Sequence, residues 1–188
     1  MRIEPTDLPG LCLVTPRRYG DARGFFAETF NARTYARAGI DTVFVQDNHS
    51  VSEHAGTVRG LHFQAPPHAQ AKLLRCGRGR LFDVALDLRV GSTTFGRWAG
   101  FELSAENGRQ VFIPEGFAHG FMTLEPETEI VYKCSDFYAP ESETALRWDD
   151  PGLAIVWPAL DAPPVLSEKD AGAPCWADFT SPFVMAPA

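Results

Sequence analysis

Short runs in which apolar and polar residues alternate follow one another along most of the chain, and turn-forming residues separate them. Turn signals such as Asn107-Gly108 and Pro114-Glu115-Gly116 recur at the spacing typical of a β-sandwich or barrel. The pattern predicts an all-β protein with the architecture of a double-sheet antiparallel jelly roll, in which closure of the sheets removes exposed strand edges. Strands are expected at residues 11–14, 24–30, 42–50, 57–63, 71–76, 80–88, 97–103, 110–113, 118–124, 129–137 and 153–156.

Two short segments are typical of helices. Asn31 is a suitable N-cap for a helix over residues 32–38, and a glycine follows as a stop. Ser167-Glu168-Lys169-Asp170 has the form of a capping box at another short helix. The tail, residues 158–188, is rich in proline and alanine and is expected to wrap the outside of the barrel. Because no repeat or linker interrupts the chain, we expect all 188 residues to form one domain.

Alternation assigns side chains to the two faces of each strand. In the strand that contains Asp83 and Asp87, the two acids share one face and apolar residues occupy every position of the other. Tyr132 shares a face with Ile130 and Cys134, so the phenol is expected on a buried face.

Composition narrows the classes of protein that fit. The four cysteines are scattered and form no CxxC pair, which argues against a structural zinc site and a disulfide framework and favours a reducing cytoplasm. The net charge of −7 discourages binding to nucleic acid, although a few convergent basic residues can still bind a small anion. The N-terminus lacks the apolar core of a signal peptide, and no apolar run is long enough to cross a bilayer.

The segment Pro114-Glu115-Gly116-Phe117-Ala118-His119 resembles the second motif of cupins, in which the histidine binds a metal. The first cupin motif supplies two histidines and a glutamate, but here His62 is followed by Gln64 and then, after His68, by Lys72. An ammonium group is a poor ligand and repels a cation, and a metal site needs three or four converging ligands. We therefore expect a cupin-like architecture without a metal.

Four ionisable side chains lie on apolar strands: His62, Lys72, His119 and Tyr132. Buried polar groups must be compensated, so such a set indicates acid–base chemistry. Histidine is the usual general base near neutral pH, tyrosine can donate a proton, and lysine can stabilise an oxyanion. A histidine base needs a carboxylate to fix its tautomer, and the spacing leaves Asp83 and Asp170 open as partners.

Two arginines, Arg23 and Arg59, precede glycines and are suited to bidentate phosphate contacts. Arg59 and His62 have opposite parity on a regular strand. Both can therefore reach one cavity only if Gly60 marks a bulge or a kink.

Together these segments resemble the dTDP-4-dehydrorhamnose 3,5-epimerase family, which has a cupin-type jelly-roll fold. The resemblance rests on an ordered set of motifs: residues 21–28, 46–50, Arg59-Gly60-Leu61-His62-Phe63-Gln64, residues 82–89, 113–121, 131–133, 148–151 and 166–170. The set covers most of the chain, and its order is more specific than any single motif.

The resemblance implies an isomerase that inverts C3 and C5 of a dTDP-4-keto-6-deoxyhexose through an enolate, with no cofactor. It implies that His62 is the base, Asp170 its carboxylate partner, Tyr132 the proton donor and Lys72 the group that stabilises the enolate. The implied contacts to nucleotide and sugar are Arg23, Glu28, Gln46, Asn48, Arg59, His119, Glu143 and Lys169. It also implies a homodimer with exchanged N-terminal strands, in which Arg23 and Glu28 serve the partner's site.

Three alternatives remain at this stage. A mono-epimerase would use the same groups and invert C3 or C5 only. A metal-dependent cupin enzyme would need bound metal. A non-catalytic jelly roll would bind the nucleotide sugar without exchanging its hydrogens.

Overall fold

Strands form most of the regular structure in residues 1–160 and 162–185, which the computed structural model describes. The strands are β1 (Arg2–Pro5), β2 (Cys12–Thr15), β3 (Arg18–Asp21), β4 (Gly24–Ala27), β5 (Gln46–Ser52), β6 (Val58–Gln64), β7 (Lys72–Arg78), β8 (Arg80–Asp87), β9 (Trp98–Ser104), β10 (Gln110–Ile113), β11 (Phe117–Thr123), β12 (Thr128–Cys134) and β13 (Glu143–Ala145). The helices are α1 (Ala32–Arg37) and α2 (Glu168–Ala171), with 3₁₀ turns at Pro140–Ser142 and Trp176–Asp178. The prediction of an all-β protein with short helices is confirmed.

Two antiparallel sheets face each other. The six-stranded sheet has the order β1-β2-β10-β7-β12-β5, and the five-stranded sheet has the order β13-β6-β11-β8-β9. Strands β3 and β4 form a separate hairpin. Because the two sheets enclose a common interior, side chains from β6, β8 and β11 can meet side chains from β7 and β12.

The space between the sheets is filled by a cluster that draws apolar side chains from both, among them Leu74, Leu81, Ala85 and Ile130. These side chains are almost completely buried. The odd-numbered positions of β8 therefore point inward, and Asp83 lies on that inward face. The apolar, even-numbered face of β8 points outward.

The outward face of the five-stranded sheet is covered by the C-terminal segment. Val84 and Leu86 of β8 pack in a cluster with Phe183, and Trp157 and Trp176 lie against it. Two isolated bridges also join this segment to the body of the protein, Thr57 with Val165 and Val90 with Val184. Both faces of β8 are therefore shielded from water, one by the six-stranded sheet and the other by the C-terminal segment.

Both helix caps occur where the sequence indicated. The Asn31 side chain accepts hydrogen bonds from the backbone N–H groups of Arg33 and Thr34 at the start of α1. The Ser167 side chain accepts the N–H of Asp170 at the start of α2. No helix in the described part of the chain is long and apolar enough to cross a membrane.

The strand predicted at residues 153–156 is wrong. Residues 151–154 form a turn, which is closed by the Asp150 carboxylate accepting the N–H groups of Gly152 and Leu153. The apolar side chain of Leu153 is accounted for by its packing under the C-terminal segment, and it does not belong to a sheet.

Other differences concern the ends of strands and three short strands that the pattern did not indicate. The strands predicted at 24–30, 42–50 and 129–137 occur as β4, β5 and β12 with different limits. Strands β1, β3 and β13 were not predicted, because each contains at most one large apolar residue and so shows no alternation.

Candidate active site

A cavity of about 420 Å³ opens between the two sheets. It is lined by ionisable side chains from four strands and from α2: His62 and Arg59 of β6, Lys72 of β7, His119 of β11, Tyr132 of β12 and Asp170 of α2. The four strand residues that the sequence singled out for acid–base chemistry are therefore close together, although they are up to 70 positions apart in the chain.

A bulge at Gly60 brings Arg59 and His62 into this cavity. On β11, His119 pairs with His62 and Phe121 with Arg59, so three steps along β6 oppose two steps along β11. Gly60 has φ +116°, a value that side chains rarely tolerate. A Cβ at Gly60 would lie 2.6 Å from the Cα of Gly120, so the strands leave no room for one. The expected bulge is confirmed.

His62 and Asp170 form a hydrogen-bonded pair. The His62 Nε2 and Asp170 Oδ1 atoms are 2.5 Å apart, and the Asp170 side chain is almost wholly buried. The other oxygen of Asp170 accepts the Ser167 hydroxyl at 2.8 Å, while the backbone N–H of Asp170 donates to that hydroxyl. Asp170 thus stays in the helix cap and also orients the histidine, which leaves Nδ1 of His62 as the free ring nitrogen.

Asp83, the other carboxylate that the sequence left open, pairs with a different histidine. Its Oδ2 atom lies 2.7 Å from Nε2 of His119. Both side chains are buried. The two histidines of the cavity therefore have different carboxylate partners: Asp170, which lines the cavity, and Asp83, which is buried behind His119.

The environment shifts the pKa values of three of these groups. Burial lowers the pKa of His62 below its ordinary value of 6.5, and the nearby charge of Asp170 offsets part of that effect. Burial likewise lowers the pKa of Lys72, whereas burial raises the pKa of Tyr132. At neutral pH this favours a neutral imidazole, which can accept a proton, and a protonated phenol, which can donate one.

A second cavity of about 260 Å³ adjoins the first and shares His62, Lys72 and Tyr132 with it. Three further residues from the predicted set line this cavity: Gln46, Asn48 and Glu143. Lys169 stands beside it, with Nζ 2.5 Å from a carboxylate oxygen of Glu143. The Tyr138 hydroxyl donates to the same Glu143 oxygen at 2.8 Å.

Gln64 lines the second cavity but was not among the predicted contacts. Its amide donates to the carbonyl oxygens of His68 and Phe137, and its oxygen accepts the N–H of Ala139. Gln64 thereby holds the loop next to the cavity. The strand alternation that puts Gln64 on the same face as His62 is the signal that could have identified it.

Arg23, Glu28 and Lys169 are the predicted contacts that line neither cavity, but Lys169 borders the second cavity whereas Arg23 and Glu28 lie away from both. Arg23 lies at the turn of the β3–β4 hairpin with its side chain 90% exposed, and it pairs with Asp21. Glu28 accepts a hydrogen bond from Asn31. Within one chain, therefore, these two residues stand apart from the site.

Over residues 1–160 and 162–185, no group of three or more histidine, cysteine, aspartate or glutamate side chains is arranged to hold a metal ion. The histidine–carboxylate pairs of the cavity are hydrogen-bonded dyads.

Comparison with known proteins identifies the family. A family model for dTDP-4-dehydrorhamnose 3,5-epimerase matches residues 5–178. The dTDP-4-dehydrorhamnose 3,5-epimerase of Pseudomonas aeruginosa is 53% identical over 172 residues, which cover 91% of this chain and 93% of that relative.

Solved structures show the same similarity in three dimensions. The crystal structure of dTDP-6-deoxy-D-glucose-3,5-epimerase from Legionella pneumophila, in complex with dTDP-4-keto-L-rhamnose, is 46% identical with a TM-score of 0.93 and covers 98% of this chain and 99% of that one. ChmJ, a 3'-monoepimerase from Streptomyces bikiniensis in complex with dTDP-quinovose, is 38% identical with a TM-score of 0.87, covering 93% of this chain and 87% of that one.

These similarities confirm the predicted cupin-type jelly roll and the predicted enzyme class, an isomerase. They extend over nearly the whole chain and include every residue of the two cavities. The chain belongs to the dTDP-4-dehydrorhamnose 3,5-epimerase family.

Proposed function

We propose that the protein converts dTDP-4-dehydro-6-deoxy-D-glucose to dTDP-4-dehydro-L-rhamnose by inverting C3 and C5, a step of dTDP-rhamnose biosynthesis. The observation that carries the proposal is the position of His62 and Tyr132 on opposite walls of one cavity. His62 is on β6 of the five-stranded sheet, and Tyr132 is on β12 of the six-stranded sheet. A base on one side of a sugar ring and an acid on the other are what inversion of a carbon centre requires.

His62 acts as the base. The hydrogens on C3 and C5 are both alpha to the C4 carbonyl, so the same enolate chemistry serves both centres. The free Nδ1 of His62 takes the proton, and the electron pair of the broken C–H bond moves into the enolate. Asp170, bonded to Nε2, stabilises the imidazolium that forms.

Lys72 and Tyr132 complete the step. The Lys72 ammonium stabilises the negative charge that develops on the C4 oxygen. Tyr132 then returns a proton to the opposite face of the carbon. Solvent afterwards takes the extra proton from the His62 imidazolium and supplies one to the Tyr132 phenolate. Atoms and electrons balance without an oxidant or a reductant, so neither a metal nor a redox cofactor is needed.

The remaining residues of the two cavities suit a nucleotide sugar. Arg59 and His119 line the larger cavity and offer donor groups for the phosphates and sugar, and His119 is held in place by the buried Asp83. Amide and charged side chains extend the surface on the adjoining side: Gln46, Asn48, Glu143 and Lys169. A cavity with few precisely placed polar groups is typical of small-molecule sites.

The test is to incubate the protein with dTDP-4-keto-6-deoxyglucose in deuterium oxide and follow C3 and C5 by NMR. Deuterium at both carbons with inversion is expected. Deuterium at one carbon only would support the mono-epimerase, loss of activity with a chelator would support the metal-dependent enzyme, and binding without exchange would support the non-catalytic alternative.

His62→Asn should abolish deuterium incorporation while the protein stays folded. His54→Asn is the matched control, because His54 is exposed on a turn outside both cavities and its variant should exchange at the wild-type rate. Full exchange in the His62 variant would show that another group is the base.

We further propose that the protein is a homodimer in which the N-terminal strands are exchanged, so that Arg23 and Glu28 reach the partner's site. The support is the β3–β4 hairpin, whose aromatic side chains Tyr19, Phe25 and Phe26 are 55%, 61% and 70% exposed. Exposed aromatic groups clustered on one hairpin favour burial against another protein surface.

Mixed dimers test this arrangement. His62→Asn chains supply an intact Arg23, and Arg23→Ala chains supply an intact His62. If Arg23 acts across the dimer, mixing the two inactive or weakened variants restores sites with both groups, and the KM of the recovered activity is that of the wild type. If Arg23 acts within its own chain, mixing restores nothing.

A further inference from the structure

Asp83 has an unsatisfied oxygen in the barrel interior. Its side chain is completely buried on the inward face of β8, and Oδ2 is bonded to His119. The other oxygen, Oδ1, has no hydrogen-bond partner. Among the described residues, it is the one buried side-chain nitrogen or oxygen atom that lacks a partner.

The contrast with Asp87 shows that the fold can satisfy such a group. Asp87 lies four residues further along β8 and is equally buried, but its oxygens accept bonds from Arg89, Ser92 and Thr94. Leaving a buried polar atom unpaired destabilises a fold, so an unsatisfied carboxylate oxygen beside the cavity points to a role in function.

Lys72 supplies the second observation. Within residues 1–160 and 162–185, its ammonium makes no hydrogen bond or ion pair of its own, although it lines both cavities. The titratable groups whose charges affect the pKa of Lys72 come from three neighbouring strands: Cys134, Asp83 and Glu143. Lys72 in turn affects the pKa of His62. Asp83 is the fully buried carboxylate of this group, and Glu143 is already bonded to Lys169 and Tyr138.

We propose that Asp83 is a positioning residue for the reaction, acting through both His119 and Lys72. A carboxylate accepts hydrogen bonds and cannot donate them, so it fixes the proton of His119 on Nε2 and leaves Nδ1 for the substrate. Its remaining negative charge balances the Lys72 ammonium, which must stay charged to stabilise the enolate. The inference rests on the proposed function.

The charge of Asp83 opposes the burial of Lys72. Burial lowers the pKa of Lys72, and the nearby Asp83 charge raises it again. Removing that charge therefore lowers the pKa of Lys72 further.

The first experiment compares Asp83→Asn with Asp87→Asn, the matched loss of a buried carboxylate on the same face of β8. We expect the alkaline limb of the kcat profile to move to lower pH in Asp83→Asn, so that kcat at alkaline pH falls relative to the wild type. In Asp87→Asn the limb should stay in place even if the protein is less stable. An unmoved limb in Asp83→Asn, or equal movement in both variants, overturns the inference.

A second measurement does not depend on activity. In ¹⁵N-histidine spectra of the wild-type protein, His119 should be protonated on Nε2, and Asp83→Asn should shift it toward the Nδ1-protonated form. A wild-type His119 protonated on Nδ1 refutes the positioning role. If wild-type protein exchanges no substrate hydrogen, the proposed function fails by itself, and the histidine spectra still decide the role of Asp83.

Discussion

Replacing Asp170 with asparagine removes one buried negative charge but almost no volume. The surroundings determine how the new amide is oriented. The Ser167 hydroxyl donates to Oδ2 of Asp170, so the amide oxygen of the asparagine should occupy that position. The amide NH₂ then takes the place of Oδ1, 2.5 Å from Nε2 of His62. Because that group donates, Nε2 must become an acceptor, and the proton moves to Nδ1, the atom that should take the proton of the substrate.

Two losses therefore combine in Asp170→Asn. The base is held in the wrong tautomer, and the imidazolium loses the charge that stabilises it. In serine proteases the corresponding change lowers kcat about 10⁴-fold. At about 1.36 kcal/mol for each factor of ten, this amounts to about 5.4 kcal/mol of transition-state stabilisation. We expect a decrease of about 10³- to 10⁴-fold in the rate of deuterium incorporation, measured by NMR.

Ser167→Ala provides the control. It removes the helix cap, which costs about 1 kcal/mol of stability, but it keeps the carboxylate and should retain most activity. The double variant is more informative, because without the Ser167 hydroxyl the asparagine can present its oxygen to Nε2. Part of the activity lost in Asp170→Asn should return. A decrease of less than tenfold in Asp170→Asn, with the protein folded, would refute the reasoning.

Three further predictions concern other parts of the site. Activity requires neutral His62 and is lost as the pH falls through its pKa, so the acid limb of kcat/KM should lie below pH 6.5; a limb above that value would contradict the effect of burial. Tyr132→Phe should still exchange hydrogen for deuterium but should not invert the carbon, and chiral analysis of the product checks this; normal inversion would assign the donor role to another group. Gly60→Ala should destabilise the protein by about 3 kcal/mol, because backbone strain at φ +116° adds to the clash of the new Cβ with Gly120. Calorimetry should show a lower Tm. Gly24→Ala, with φ +128° and nothing within 4 Å of the new Cβ, isolates the strain and should cost less; equal losses would mean that the clash is absent.

The local sequence pattern was sufficient to predict several features of this site. The alternation of residues 130–134 correctly put Tyr132 on the face of Ile130 and Cys134, which are buried. The parity of Arg59 and His62 correctly required a bulge or a kink at Gly60. Both helix caps followed from side-chain chemistry at one position, which needs no knowledge of distant residues.

The local sequence pattern could not predict which carboxylate pairs with which histidine. Spacing left Asp83 and Asp170 equally open as partners of His62, and only the resemblance to a family favoured Asp170. The two residues of the His62–Asp170 pair are 108 positions apart, and their contact depends on where α2 lies against β6. The unsatisfied oxygen of Asp83 likewise emerges only when every neighbour of the side chain is known.

The sequence by itself determined the strand and turn character of the chain, the faces of its central strands and the family motifs in their order, because each depends on residues close together along the backbone. Only the tertiary structure decided which face of β8 is the interior, where the apolar even-numbered positions lie outside under the C-terminal segment and Asp83 lies inside. The physical reason is that alternation separates two faces but does not say what covers them. That depends on the order of strands in the sheets and on the path of the tail, which bring distant residues into contact.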